Sequence, residues 1–336
     1  MERTEHPKPQ FERENWLNLN GEWEFEFDFG NSGEERGQYR EDAVFHQKIN
    51  VPFCPESVLS GIGYTDFMTS VWYRRKINLK KELLSQRIFL HFGAVDHFAT
   101  VYINGQKCGT HKGGYVSFKV DVSPYVREGE NIITVHAVDD IRDRLVARGK
   151  QAETYYSEQC VYTRTTGIWQ TVWMEIVPNE YIRDVRVTPD WDNGLVRMRI
   201  RVSSPSLTEN ASPAHISHTA ADQTDSQETV LAFSPDRQNS SNVICKVYPP
   251  VFLEADGLND TLCQDEITTA AIRPGKGATL SIPENMQKSW TPKEPWLYPY
   301  SLEYGKDRVL GYFALRKCDV QIADDGYPRF FLNDQP

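Results

Sequence analysis

Hydrophobic and polar residues alternate along most of this chain with a period of two. In "GEWEFEFD" (Gly21–Asp28), Trp23, Phe25 and Phe27 fall on one side and Glu22, Glu24, Glu26 and Asp28 on the other. That alternation predicts a strand with three rings facing a core and four carboxylates facing away. The same reading gives strands over Val71–Ile77, Arg87–Phe92 and Ala99–Ile103. The last of these closes on Asn104-Gly105, a pair that readily takes the positive φ angles of a tight hairpin turn. Val116–Val120 and Ile132–Val138 follow. Trp169–Ile176 is then expected to put Trp169, Thr171, Trp173 and Glu175 on one face, with Gln170, Val172, Met174 and Ile176 on the other. Helix is hinted at only in Lys80–Ser85.

About eight short strands separated by turns predict a jelly-roll, galactose-binding-like sandwich over residues 1–178. After Pro178 a second run begins: Ile182–Val187, the turn Asp192-Asn193-Gly194, then Leu195–Val202. In that last strand Val196, Met198, Ile200 and Val202 alternate with Arg197, Arg199 and Arg201. Thr229–Phe233, Val243–Tyr248, Thr279–Ile282, Tyr300–Tyr304 and Arg308–Cys318 continue the pattern, which predicts an immunoglobulin-like sandwich over 179–318. The fold class expected is all-β.

Composition narrows the function classes. A chain of 336 residues is long enough for two or three domains, and its 39% hydrophobic and 25% charged content is that of a soluble protein. The formal net charge of −10 and scattered basic residues argue against nucleic acid as a partner. No stretch approaches the roughly 18 apolar residues of a membrane span. "MERTEHPKPQ" lacks the apolar segment of a secretion signal. Six separated cysteines without a C-x-x-C spacing read as free thiols in a reducing compartment, so a cytoplasmic location is expected. The sequons at Asn210, Asn239 and Asn259 then carry little meaning.

Reactive motifs are missing. There is no G-x-S-x-G elbow, P-loop or H-E-x-x-H, and "SGIGYTD" has Asp66 where a dinucleotide fingerprint needs its third glycine. His215 and His218, three apart in a polar segment, read as loop residues more readily than as a metal pair. Asp139-Asp140 ends a strand, where neighbours point to opposite faces, and reads as a solvated turn. Spacing alone thus marks no catalytic residue, no metal site and no cofactor site.

Several stretches taken together resemble one family. "WLNLNGEWEF" (Trp16–Phe25), "VWYRRKINL" (Val71–Leu79), "LHFGAVDHFATVYINGQKCGTHKGGYVSF" (Leu90–Phe118), "GENIITVHAVDD" (Gly129–Asp140) and "TGIWQTVWMEIV" (Thr166–Val177) look like the N-terminal sugar-binding domain of glycoside hydrolase family 2. "WTPKEPWLYPYSLEY" (Trp290–Tyr304) and "GYFALRK" (Gly311–Lys317) resemble the closing strands of that family's immunoglobulin-like domain. The resemblance implies β-galactosidase, β-glucuronidase or β-mannosidase chemistry in a third, (β/α)₈ domain, where two glutamates about 5 Å apart act by retention. Such a barrel takes roughly 250 residues, more than the two β domains leave. Residues 319–336 look like the lead-in to it, so the catalytic glutamates are expected outside this chain.

The resemblance also carries two candidate substrate-binding residues. Relatives place an aspartate six residues before the glycine of the "GI" motif. Here that position is Val161, which cannot hold a hydroxyl. Arg164, three before Gly167, is a candidate for the pocket rim, against the plainer reading of a surface arginine paired with acids. Asp66 sits in a loop that approaches the barrel mouth in relatives, against the plainer reading of a turn residue. Trp169 and Trp173 are expected to pack together on one strand face. The implied partners are a β-linked carbohydrate, a catalytic barrel and, for some members, further copies of the chain. The alternatives are a free-standing carbohydrate-binding module, which sugar binding near Tyr64, Phe67 or Tyr115 would favour, and a purely structural module, which an apolar patch with self-association and no sugar binding would favour.

Overall fold

A computed structural model describes residues 3–203, 242–252 and 265–336. The predicted strand Thr229–Phe233, and His215 and His218, lie outside the described residues. The chain divides into two compact units. Among the described residues both are built of antiparallel strands with a few 3₁₀ turns, one of them over Lys81–Ser85.

The first unit, residues 3–7 and 15–177, is a sandwich. One sheet orders Trp16–Asn18, Val172–Val177, Arg87–Phe92 and Phe118–Asp121; the other orders Gln47–Val51, Gly21–Phe27, Ser70–Leu79, Gly129–Val138, Phe98–Ile103 and Gln106–Lys112. Alternation explains the core. Trp23 and Phe25 of one sheet meet Leu90, Val172 and Met174 of the other, all shielded from water. The Asn104-Gly105 turn joins Phe98–Ile103 to Gln106–Lys112 with φ of 50° and 74°, as expected for a two-residue hairpin.

Ser70–Leu79 departs from simple alternation because its first half is buried on both faces. Trp72 points away from the inter-sheet core. It stacks on His136 with centroids 4.0 Å apart, and its indole N–H donates to Asp28 at 3.1 Å. Gly167, at φ 74°, sits where a Cβ would lie 2.3 Å from the Tyr73 hydroxyl. Only glycine fits there, and the two-stranded pairing of Gly167–Ile168 with Val95–Asp96 depends on it.

The predicted strand Trp169–Ile176 is corrected here. The chain breaks off pairing after Ile168 and resumes at Val172, so Trp169 belongs to no strand. Its indole N–H donates to the Gly114 carbonyl at 2.8 Å and its ring meets Tyr115 edge-on. Trp173 is buried on the strand and stacks on His91 at 4.7 Å. The two tryptophans therefore do not share a packing face.

The second unit comprises residues 8–14 and the described residues from 178 onward. One sheet orders Ile182–Asp190, Leu195–Val202 and Gly277–Ser281; the other orders Val251–Phe252, Trp296–Tyr304, Val243–Val247 and Thr268–Ile272, with Asp307–Phe313 also paired to Trp296–Tyr304. Val196, Met198 and Ile200 face Cys245, Tyr300 and Leu302 in its core, while Arg197 and Arg201 pair with Asp190 and Asp184 at the surface.

Residues 8–14 have no strand signature in the sequence, yet they are stitched into this unit. Arg13 grips Asp307 through two bonds of 2.8 and 2.9 Å and donates to the Ile182 carbonyl at 2.6 Å, while the Tyr300 hydroxyl donates to the Gln10 carbonyl. Cys318–Ile322 and Pro328–Leu332 form a separate hairpin whose Val320, Ile322 and Phe330 face solvent.

Candidate functional site

A cleft in the first unit is lined by Phe67, Asp139, Asp140, Arg142, Arg164 and Thr166, with Met68, Thr69 and Ile141 completing it. Its interior is small, about 20 Å³, which is room for one ordered water or one protruding hydroxyl rather than for a sugar ring. Two loops build it: the one that precedes Ser70–Leu79, and the long one between Gly129–Val138 and Gly167–Ile168.

Arg164 joins these loops. It is buried, and its guanidinium donates to the carbonyls of Thr65 and Thr154. The group lies 4.2 Å from the Phe67 ring centroid, and Arg142 lies 3.8 Å from the same ring. Each guanidinium gains from the ring's quadrupole. Arg164 Nε is buried without a hydrogen-bond partner. Of the two sequence candidates, then, Arg164 lines the cleft and is bound to backbone carbonyls, not to surface acids. Asp66 does not line it. Asp66 is exposed on the same loop, one residue before Phe67, and its carboxylate accepts from the Phe67 amide at 2.7 Å.

The reading of Asp139-Asp140 as a solvated turn is overturned. Both line the cleft, and Asp140 is exposed, but Asp139 is only 5% accessible. Burial pushes its acid up to about 8, with smaller contributions from Asp96, Glu56 and Asp140. Asp96 is raised to about 6 by burial, against the pull of a 2.7 Å hydrogen bond from Gln151. Glu56 is raised by burial too, opposed first by the Thr166 side chain and less by the Thr166 amide, which donates to it at 3.2 Å. Asp139 therefore keeps its proton at neutral pH for the most part, and can donate it in a hydrogen bond. No sequence signal marks it, because the covering residues come from positions 56, 96 and 164–166.

A second polar cluster shows what is not a site. The Ser70 hydroxyl lies 2.7 Å from His136 Nε2 and 3.4 Å from Asp28. The carboxylate bonds the serine rather than the imidazole, all three are buried, and burial lowers the His136 pKa to about 4. A nucleophile needs access to a substrate. Among the described residues no group of three His, Cys, Asp or Glu could hold a metal ion.

Comparison with known proteins gives this geometry a setting. Residues 64–178 match the family described as glycosyl hydrolases family 2, sugar binding domain. Residues 64–178 are thus similar to a family 2 sugar-binding domain. That stretch holds the whole cleft. A β-galactosidase of Thermoanaerobacter pseudethanolicus is 23% identical over 276 residues, covering 81% of this chain and 31% of its own length. A β-glucuronidase of Paenibacillus borealis is 24% identical over 215 residues, covering 59% of this chain and 35% of its own. Among solved structures, a β-glucuronidase of an uncultured Clostridium species has a TM-score of 0.68 at 21% identity, over 97% of this chain and 48% of that one. The chain thus spans about a third of the length of these curated relatives and about half of that structure, and it shares the structure's fold.

Proposed function

We propose that this chain is the non-catalytic β portion of a retaining, cytoplasmic β-glycosidase, and that it frames a β-linked sugar for a catalytic domain that the described residues do not contain. The observation that carries the reading is the coincidence of a family 2 sugar-binding domain with a cleft sized for a single hydroxyl. A hydroxyl both donates and accepts. Asp139 as a neutral acid and the unpartnered Arg164 Nε offer donors, and the Thr166 side chain adds a hydroxyl to the lining. Asp66, next to Phe67 on the loop that precedes Ser70–Leu79, is proposed to meet the same sugar from outside the cleft.

Hydrolysis of a glycoside by retention needs an acid and a nucleophile about 5 Å apart on either side of one bond. The cleft has room for neither the bond nor its flanking sugar. The exposed apolar face of the hairpin, with Val320, Ile322 and Phe330, is proposed to seat the catalytic domain, since a lone two-stranded hairpin is marginal in water. The purified 336-residue chain, given 4-nitrophenyl β-galactoside and β-glucuronide, is expected to release no nitrophenol above a blank. Turnover that follows the protein through purification would overturn the proposal.

A further inference from the structure

Three segments of the first unit bring aromatic rings together at the surface. Phe29 follows the strand Gly21–Phe27 and continues its alternation past the end of the core, so its ring is 58% exposed. It stacks on Phe27 with centroids 5.1 Å apart and planes within 10°. Tyr64 leans on both rings, at 5.0 Å from Phe27 and 5.9 Å from Phe29. Tyr155 and Tyr156, 45% and 77% exposed, meet edge-on at 4.8 Å. Tyr155 is a neighbour of Tyr64: burial, then Asp66, then Tyr155 raise the Tyr64 phenol.

Single exposed rings are ordinary, but a run of them from separate segments is not. We infer that Phe29, Tyr64, Tyr155 and Tyr156 form a second carbohydrate contact, a platform for the outer units of a β-linked oligosaccharide. The inference rests on the sugar-binding reading above and extends it from one hydroxyl in a cleft to a chain of sugars.

The chemistry of the rim selects a carbohydrate over a protein partner. A pyranose has an apolar C–H face bordered by hydroxyls, and Tyr presents an apolar body with a polar tip. Among the described residues, the hydroxyls of Tyr64, Tyr155 and Tyr156 bond no protein group, and Asp66 beside them accepts only from the Phe67 amide. The platform therefore offers ring faces for stacking and free phenols and a carboxylate for hydroxyls.

Arg164 holds it in shape. It binds the carbonyl of Thr65, next to Tyr64, and the carbonyl of Thr154, next to Tyr155. One buried guanidinium so fixes the two loops that carry the tyrosines, which lowers the ordering cost of binding. Arg164 is thus a positioning residue for the platform as well as a lining residue of the cleft.

The test is calorimetric titration of the full chain with methyl β-galactoside and with β-1,4-linked galactose, glucose and xylose oligomers of two to five units. Affinity is expected to rise with length for at least one series. Each stacked ring should account for a factor of about 3–10, so Y155A/Y156A should weaken pentamer binding at least tenfold. The same variant should leave the methyl glycoside unaffected and the melting temperature unchanged, since both rings are exposed. Y155F/Y156F should retain most of the length dependence, because the faces remain. Pentamer affinity that is unchanged in Y155A/Y156A, or no tighter than that of the methyl glycoside, would overturn the platform while leaving the cleft reading intact. Failure of every sugar to bind, the methyl glycoside included, would overturn both.

Discussion

Asp139→Asn should make the protein more stable, not less, and only above acid pH. Asp139 has an ordinary acid value of 3.8 when unfolded and about 8 when folded, since burial and the neighbouring Asp96, Glu56 and Asp140 disfavour its charge. Arg142 and Arg164 line the same cleft without reversing the direction. Below about pH 4 the residue is protonated in both states and contributes no pH dependence. Between about 4 and 8 the unfolded chain has released a proton that the folded chain retains. Stability therefore falls as pH rises through that window, by about 1.4 kcal/mol per unit. The accumulated loss is roughly 4 kcal/mol at pH 7 and about 5–6 kcal/mol beyond pH 8. Asn keeps the shape and the donor of the neutral acid and has no proton to lose, so it removes the slope. Urea unfolding at pH 4, 5, 6, 7 and 8 should give coincident midpoints at pH 4 and a gap widening to about 2 M at pH 7. Asp140→Asn, at an exposed neighbour, should track the wild type. Parallel curves for wild type and D139N from pH 5 to 8, or a lower D139N midpoint at pH 7, would refute the reasoning.

Three further outcomes are expected. Gly167→Ala combines a left-handed φ with a Cβ 2.3 Å from the Tyr73 hydroxyl, so it should cost about 3 kcal/mol or more, read as a lower urea midpoint. Arg13→Ala leaves Asp307 buried without its charge partner and should destabilise the second unit by about 3–5 kcal/mol, seen by calorimetry as one transition moving down while the other stays. Phe330→Glu should suppress self-association of the chain in sedimentation velocity, since Phe330 is 86% exposed on the hairpin's apolar face; an unchanged sedimentation profile of an associating wild type would count against that face as a contact surface.

Strands were legible where one face meets a core and the other meets water. Leu195–Val202 is the clearest instance, with Val196, Met198 and Ile200 buried and the intervening arginines exposed. Legibility fails where that condition fails. Ser70–Leu79 is buried on both sides near its start, so hydrophobicity there says nothing about direction. Trp169 looks like strand because aromatic residues favour strands, yet it falls in the gap between Gly167–Ile168 and Val172–Val177, with its indole bonded to the Gly114 carbonyl. Residues 8–14 were invisible as part of the second unit because what holds Arg13 lies 294 positions away at Asp307.

The site was half legible for a related reason. Period two sends Asp139 and Asp140 to opposite faces, yet the strand ends at Val138 and both line one cleft, so the pattern cannot say what surrounds either. Asp140 meets solvent, whereas Asp139 meets Asp96 and Glu56 from distant strands and loops. Such a cluster could suggest a cation site. The electrostatics argue otherwise. A carboxyl raised to about 8 is mostly neutral at pH 7, and the guanidiniums of Arg142 and Arg164 line the cleft together with Asp140, two positive charges to one carboxylate, which disfavours a cation. A neutral acid beside an unsatisfied guanidinium N–H suits a small group that accepts and donates, which is what a sugar hydroxyl does. The burial of Asp139 thus costs the fold stability at neutral pH while keeping that position of the cleft uncharged. The stability gained by D139N should accordingly be accompanied by retained methyl β-galactoside binding, because the amide still donates where the acid did.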